Sequence, residues 1–288
     1  KPSQVDSMTT EDAYLFPIFG SIVLFSLYLC FKFLSKDWVN FIMSSYFMLL
    51  GVGAITTTLH PLLANILPYN SIVKRQPWKL HIPFYGEVEI QMVDIFGGAI
   101  ALGVGVVYLT TKHWITNNIF GECFSIVSIQ LIHLGSFKVG ATLLTGLFFY
   151  DIFWVFGTDV MVTVAKSFDA PIKVIWPKST GFSLLGLGDI VIPGIFIALM
   201  LRFDRHLATK KPHKTNLYFT VCFISYIVGL VTTIVVLHVF QAGQPALLYI
   251  VPCVVLSVLF TAIVRGEVKE LFAYHDEQNK EKQAVKKD

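Results

Sequence analysis

Eight stretches of the chain are long and largely apolar, each close to the ~20 residues that a helix needs to cross a bilayer. They are continuous blocks without the short apolar–polar alternation of a transmembrane barrel, so the pattern predicts helices. The predicted spans are 14–34, 39–59, 93–111, 115–134, 139–164, 183–202, 217–239 and 245–264. The sequence therefore predicts an all-α, polytopic transmembrane helical bundle.

Polar segments separate the predicted spans. The connection at 60–92 contains four prolines and three Lys or Arg residues, which indicates a loop outside the membrane. The segment that begins at Glu267 is rich in charge and is expected to be frayed. We find no internal repeat along the chain.

The composition agrees with a membrane protein. Hydrophobic residues make up 55% of the chain and charged residues 14%, whereas soluble domains contain ~25% charged residues. So few charges could not cover the surface of a soluble globule of 288 residues. This composition excludes a disordered chain, a nucleic-acid-binding module and an ordinary cytosolic enzyme. The four cysteines lie in apolar runs without metal-ligand spacing, so we expect buried, unligated side chains.

The basic residues divide unequally between the two sides of the membrane. With eight spans both termini lie on one side, and that side carries 16 of the 22 Lys and Arg residues. The positive-inside rule then predicts that both termini are cytosolic. We therefore expect a cytosolic N-terminal segment at 1–13, a transmembrane domain at 14–264 and a cytosolic charged tail at 265–288.

Two carboxylates interrupt neighbouring spans. Asp151 lies near the middle of the 139–164 span, ~18–20 Å from either end, and Asp189 lies ~10 Å inside the 183–202 span. Each costs ~2.5–3.5 kcal/mol on a membrane-insertion scale, and neither span has a basic residue at that depth. Because a short loop makes the two helices antiparallel neighbours, we expect the two carboxylates to face each other.

Two carboxyl groups in a site of low dielectric constant share one proton, as in the aspartic proteases. The ionised member can activate a water molecule while the protonated member polarises a carbonyl group, which hydrolyses a peptide without a metal or cofactor. The alternative for either residue alone is an aspartate that bonds to hydroxyl groups of a neighbouring helix. Asp94, Glu122 and Asp159 lie nearer to span ends, where water reaches them.

Short motifs accompany the two aspartates. Tyr150 precedes Asp151, and its hydroxyl is a candidate hydrogen-bond partner near the site. Gly186-Leu187-Gly188 precedes Asp189, and glycines there would loosen the helix and permit close backbone approach. Tight helix packing alone would also explain the glycines. Gln244-Pro245-Ala246-Leu247 opens the last span, where proline caps the helix and the small alanine permits close contact.

In combination, Tyr150-Asp151, Gly186-Leu187-Gly188-Asp189 and Pro245-Ala246-Leu247 resemble the signature of the presenilin-type intramembrane aspartyl proteases. Within that group, the sequences at 150–158, 166–168 and 186–194 are most similar to those of the signal peptide peptidase family. The resemblance extends from about Ala13 to Tyr274, nearly the whole chain.

This resemblance implies that Asp151 and Asp189 are the catalytic pair and that the residues from Gln244 to Leu247 shape the active site and bind substrate. It implies an enzyme of the endoplasmic reticulum membrane that cleaves leftover signal peptides and type II membrane proteins. No cofactor, metal or nucleic acid is expected. The expected partners are transmembrane signal-peptide substrates, the lipid bilayer, and either a second copy of the chain or quality-control proteins of the endoplasmic reticulum.

The family has nine spans and a lumenal N-terminus. Eight spans with a cytosolic start therefore predict that one span lies upstream of Lys1. The connection between the two aspartate-bearing spans is shorter than in typical members, so residues are expected to be missing near 178–181. The end of the chain, Lys286-Lys287-Asp288, lacks one residue of a dilysine retrieval signal.

Two rival functions use the same membrane carboxylates differently. A proton-coupled transporter or channel would relay protons through them and predicts inverted repeats, which the sequence lacks. A non-catalytic membrane scaffold would not require both aspartates. Other intramembrane proteases are disfavoured because the sequence contains neither His-Glu-X-X-His nor Gly-X-Ser-Gly.

Overall fold

A computed structural model of the protein describes residues 7–66, 78–82, 86–178, 181–210, 216–240 and 243–276. Helices make up most of this part of the chain, which confirms the all-α class. Their bounds are α1 Thr10–Phe33, α2 Lys36–Ile66, α3 Met92–Thr111, α4 Trp114–Leu131, α5 Phe137–Phe156, α6 Val160–Ser167, α7 Gly188–Lys210, α8 Leu217–Phe240, α9 Leu247–Arg265 and α10 Val268–Ala273.

Short strands form small two-stranded sheets. Their bounds are β1 Ser7–Met8, β2 Trp78–Ile82, β3 Gly86–Ile90, β4 His133–Leu134, β5 Lys173–Lys178 and β6 Gly181–Gly186. β1 pairs with β4 in parallel, whereas β2 with β3 and β5 with β6 form antiparallel hairpins. The strands therefore lie in the connections and leave the helical class unchanged.

Six helices of the described ranges are long and apolar enough to cross a membrane, namely α1, α2, α3, α5, α8 and α9. Large apolar side chains are exposed along them, including Phe19, Leu49 and Val228. Water would disfavour such a surface, whereas lipid accommodates it. The chain is therefore a multi-pass membrane protein. α4 and α7 lie at the two remaining predicted segments, and the count of eight crossings stays a prediction.

The connection that was predicted to be a loop at 60–92 is partly regular. α2 continues to Ile66 and includes Pro61, and the β2–β3 hairpin follows. A proline inside a helix removes one hydrogen bond without necessarily ending the helix. For this reason the proline content placed the helix end too early.

The predicted span at 139–164 is two helices. α5 ends at Phe156 and α6 begins at Val160. A Cβ atom at Gly157 would lie 2.5 Å from the carbonyl oxygen of Phe153, so the glycine permits the chain to leave the helix there. Apolar residues continue across this break, and for that reason hydropathy did not reveal it.

The predicted span at 183–202 begins later, at Gly188, because the residues before it form the β5–β6 hairpin. Asn118 of α4 holds this hairpin. Its side chain accepts a hydrogen bond from the N–H of Ile175 at 2.8 Å and donates one to the carbonyl oxygen of the same residue at 2.7 Å. The amide thus pairs with β5 as a neighbouring strand would. Residues 179 and 180, near which missing residues were expected, lie outside the described ranges.

The tail that was expected to be frayed from Glu267 is regular as far as Asp276. Glu267 is only 2% exposed, and α10 packs against α5 and α9. The Nε of Arg202 lies 3.2 Å from Oδ2 of Asp276, and the hydroxyl of Tyr274 donates to Oδ1 of Asp276 at 3.0 Å. The two charged side chains form an ion pair here, so the segment packs against the helices in spite of its charge. The end of the chain at 286–288, where a dilysine signal would need one more residue, lies outside the described residues.

The chain forms two compact units. One comprises Lys1–Lys36, Ile129–Phe168 and Gly188–Asp288, and the other comprises Asp37–Ser128 and Asp169–Leu187. In the first unit α9 packs against α5, α7 and α8, and the two aspartate-bearing helices also contact each other. In the second, Phe120 and Tyr108 belong to a core between α2, α3 and α4. Both predicted catalytic aspartates thus belong to the first unit.

Candidate active site

Both aspartates lie near the connection between α5 and α7. Asp151 precedes the last residue of α5, Phe156, by five residues, and Asp189 is the second residue of α7. At ~1.5 Å per residue, Asp151 is ~8 Å from the end of its helix. The predicted mid-span depth is therefore wrong, because the apolar run contains a helix break. Two antiparallel helices place these two positions at the same end.

The carboxyl group of Asp151 is buried against the start of α9. The residue is 4% exposed, and its Oδ2 accepts a 2.9 Å hydrogen bond from the backbone N–H of Leu247. Leu247 is the first residue of α9, where N–H groups have no acceptor within the helix. Asp151 supplies that acceptor from another helix.

Asp189 lies in the same cluster. It is half-buried, and its carboxylate is close enough to that of Asp151 for the two to interact electrostatically. The hydroxyl of Tyr226 in α8 lies 3.4 Å from the backbone carbonyl oxygen of Asp189. The structure therefore brings the two aspartates together with α8 and α9 beside them.

The segment that begins α9 is held from two sides. Ala246 and Leu247 are 6% and 5% exposed. The hydroxyl of Thr233 in α8 donates to the carbonyl oxygen of Gly229 at 2.9 Å and lies 3.4 Å from the carbonyl oxygen of Ala246. A Cβ atom at Gly229 of α8 would lie 2.8 Å from the Cα of Ile250. This close approach of two backbones fixes the start of α9 against α8 while Leu247 bonds to α5.

Pro245, Gln244 and Tyr150 have distinct surroundings. Pro245 is buried directly before α9. The side-chain oxygen of Gln244 accepts a 3.3 Å hydrogen bond from the hydroxyl of Tyr249, in the first turn of α9. The ring of Tyr150 lies against α1, 3.5 Å from the Cβ position of Gly20. Tyr150 is thus a contact between α5 and α1 next to Asp151.

Gly186-Leu187-Gly188 joins a strand to a helix. Gly186 pairs with Lys173 at the end of β6, and Leu187 donates its N–H to the carbonyl oxygen of Ile172 at 3.1 Å. Apart from its chain neighbours and the nearby backbone of α7, no atom of the described residues lies within 4 Å of a Cβ placed on Gly188. The expected close backbone approach is therefore not found at Gly188, where the chain starts α7.

Three residues of α8 near the site were not predicted. They are Tyr226, Gly229 and Thr233. In the sequence each stands in a continuous apolar run, where tyrosine and threonine are ordinary constituents. The glycine at 229 was the one available signal of close helix packing, but it did not indicate the partner helix.

Beside the two carboxyl groups, the structure places the Tyr226 hydroxyl and the Leu247 N–H. Carboxyl groups that interact with each other can accept and donate protons in turn, which is general acid–base chemistry. In the part of the chain that the structure describes, no three His, Cys, Asp or Glu side chains are grouped to hold a metal ion.

A cavity of about 400 Å³ lies between α1 and α5. Its lining includes Tyr14, Thr145 and Phe149 but neither aspartate. Since Tyr14 and Phe149 are both 64% exposed, the cavity opens to the apolar surface of the helices. It is therefore a surface feature separate from the aspartate pair.

Comparison with known proteins gives one consistent result. The sequence model of the family described as signal peptide peptidase matches residues 1–278. Signal peptide peptidase of Homo sapiens is 43% identical over 97% of this chain and 77% of that protein, and its Mus musculus counterpart is 44% identical over 96% and 76%. A probable intramembrane protease of Schizosaccharomyces pombe is 38% identical over 98% of this chain and 88% of that protein.

These matches cover both aspartates, the segment that begins α9 and the helices that carry them. They agree with the resemblance that the sequence motifs indicated and with the polytopic helical architecture. The chain therefore belongs to the signal peptide peptidase family of intramembrane proteases.

Proposed function

We propose that this protein is an aspartyl endopeptidase that cleaves transmembrane helices within the bilayer, with Asp151 and Asp189 as its catalytic pair. The observation that carries this proposal is the buried carboxyl group of Asp151, which the Leu247 N–H bonds at 2.9 Å within electrostatic range of the Asp189 carboxyl group. Membership of a protease family supports hydrolysis over proton transport or a scaffolding role.

In the proposed mechanism the pair holds one proton. The ionised carboxylate removes a proton from water as the water oxygen attacks the scissile carbonyl carbon, and the protonated carboxyl gives its proton to the carbonyl oxygen. The carboxyl group that took the proton from water then gives it to the amide nitrogen, and the C–N bond breaks. A hydroxyl of the tetrahedral intermediate returns its proton to the other carboxylate, so the pair again holds one proton. The Leu247 N–H holds one oxygen of Asp151 at 2.9 Å, which keeps that carboxyl group in one orientation through these steps.

The substrates that we propose are signal peptides left in the membrane and type II membrane proteins. A helix protects its scissile carbonyl through intrahelical hydrogen bonds, so the substrate must unwind locally. The freed backbone groups need partners in a lipid environment, and strand addition to the enzyme supplies them. We propose a segment close to Asp189 or Pro245 for this role.

We propose the endoplasmic reticulum membrane as the location, with residues 1–13 and 265–288 in the cytosol and the protease domain at 14–264. The charge distribution supports this orientation. The partners proposed are the signal-peptide substrates and the bilayer. Assembly with a second copy or with quality-control proteins stays a prediction from the resemblance.

The decisive experiment uses the purified full chain with a labelled signal peptide, with and without a transition-state-analogue inhibitor of aspartyl proteases. We expect inhibitor-sensitive cleavage, which Asp151→Ala or Asp189→Ala abolishes. Asp37→Ala, at an exposed position in the first turn of α2, is the matched control and should cleave normally. Full activity in either aspartate variant would contradict the proposal.

A further inference from the structure

The backbone carbonyl of Asp189 lacks the usual donor of its own helix, the N–H four residues later. In an α-helix a carbonyl accepts from the N–H four residues later. For Asp189 that residue is Pro193, which lies inside α7 and has no N–H. The ring of a proline also crowds the carbonyl group four residues before it. The first turn of α7 therefore leaves an acceptor free at the residue that carries the carboxylate.

An unsatisfied carbonyl is costly where water is scarce. Burial of a peptide group without a hydrogen bond is unfavourable, and more so in hydrocarbon. A proline in a membrane helix is therefore tolerated where a neighbouring side chain supplies the missing donor. The neighbour of α7 at this level is α8.

Tyr226 of α8 is in position to supply that donor. Its hydroxyl donates to the Asp189 carbonyl oxygen at 3.4 Å, a long hydrogen bond. The same hydroxyl is close enough to interact electrostatically with the Asp189 carboxylate. Tyr226 is half-buried, so its ring packs between the helices while its hydroxyl reaches the start of α7.

We propose that Tyr226 is a positioning residue for Asp189, which bonds the carbonyl that Pro193 leaves without a partner and so fixes the first turn of α7. This inference rests on the proposed role of Asp189 in catalysis. Tyr226 acts through the backbone that carries Asp189. Its loss should therefore impair the chemical step more than substrate binding.

The test is a double-mutant cycle on the purified full chain, with kcat and KM measured for a labelled signal peptide. Tyr226→Phe keeps the ring and removes the hydroxyl, so kcat should fall roughly three- to tenfold, the worth of one ordinary hydrogen bond, with KM within about twofold. Pro193→Ala restores an N–H at position 193. In that background Tyr226→Phe should change kcat by less than about twofold, since the carbonyl now has an intrahelical donor.

Tyr46→Phe removes a hydroxyl from an exposed tyrosine of α2 and is the matched control, with no expected change in kcat. Amounts of enzyme are normalised by titration with the transition-state analogue, so that partial unfolding does not count as lost activity. An equal fall in kcat from Tyr226→Phe in both backgrounds would show that the hydroxyl does not act through the carbonyl. An unchanged kcat would also overturn the proposal.

The Asp189→Ala variant separates this inference from the proposed function. If Asp189→Ala is inactive and Tyr226→Phe is fully active, only the positioning role fails. If Asp189→Ala retains full activity, the proposed function fails and the positioning role fails with it.

Discussion

The backbone N–H of Leu247 donates a 2.9 Å hydrogen bond to Oδ2 of Asp151, and this bond joins the start of α9 to α5. It connects two parts of the predicted signature, the aspartate and the Pro245-Ala246-Leu247 segment, by direct contact. The segment therefore holds the carboxyl group in place, in addition to any contact with substrate. Changes at α9 should consequently reach Asp151 through this bond.

Asp151→Asn and Asp151→Ala should differ in stability although both abolish cleavage. Asparagine retains an oxygen that accepts from Leu247, whereas alanine leaves the buried N–H without a partner, which costs ~1–3 kcal/mol. We therefore expect lower thermal stability for Asp151→Ala than for Asp151→Asn, measured by unfolding of the purified protein in detergent micelles. Equal stability of the two variants would mean that the bond contributes little to the fold.

Gly229→Ala should displace the start of α9. The added Cβ would lie 2.8 Å from the Cα of Ile250 and 3.2 Å from the carbonyl oxygen of Tyr249, so two backbones must separate. We expect a loss of ~1–3 kcal/mol in the free energy of unfolding and at least about a tenfold fall in kcat through the Leu247–Asp151 bond.

Gly103→Ala is the control for this change, because in the described part of the chain no atom other than its chain neighbours and the nearby backbone of α3 lies within 4 Å of its Cβ position. Alanine is the better helix former, so this variant should be as stable as the parent or more so. A Gly229→Ala enzyme with normal kcat would show that α9 tolerates the shift.

Asp276→Ala should destabilise the packing of the C-terminal segment. The change leaves Arg202 without its carboxylate and Tyr274 without an acceptor, at a position only 4% exposed. Removal of one partner from a buried ion pair costs ~3 kcal/mol or more, and partial exposure of Arg202 lowers that figure. Thermal unfolding measures the loss, and Lys269→Ala, at an exposed position in α10, should leave it unchanged.

Tyr274 should make the stability of the protein sensitive to alkaline pH. Burial, and then the neighbouring Asp276, raise the pKa of this phenol above its ordinary value of 10.0. The unfolded chain therefore loses the proton first, so the stabilisation is complete below pH ~10 and declines as the pH rises further. Unfolding measured from pH 8 to 11 should show a smaller alkaline decline in Tyr274→Phe than in the parent chain. Identical profiles would contradict this assignment.

The helical class and the two aspartates could be predicted because lipid imposes a simple rule. A helix in the membrane must be apolar, so each run of apolar residues marks a helix and each internal carboxylate stands out. The same rule explains the errors at Gly157 and Gly188. Apolar residues continue through the α5–α6 break and through β6, and hydropathy does not distinguish a helix from an apolar strand.

The role of α8 could not be predicted because it depends on tertiary contacts. Tyr226 and Thr233 act through backbone oxygens of Asp189 and Ala246, which are distant in the chain. Only Pro193 left a trace in the sequence, since it implies a free carbonyl four residues earlier. The side chain that bonds this carbonyl could be identified only from the packing of α7 against α8.

α7 is one continuous helix that carries Asp189 at its start and Arg202, the partner of Asp276, thirteen residues later. At ~1.5 Å per residue the two positions are ~20 Å apart along the helix axis. Under the proposed function, this distance along α7 fixes how deep in the bilayer the substrate is cut. The depth is measured from the end of α7 against which the C-terminal segment packs. Different substrates should then be cut at about the same depth in the bilayer, which mass spectrometry of their products can measure. Widely scattered cleavage depths would show that the substrate sets the position instead.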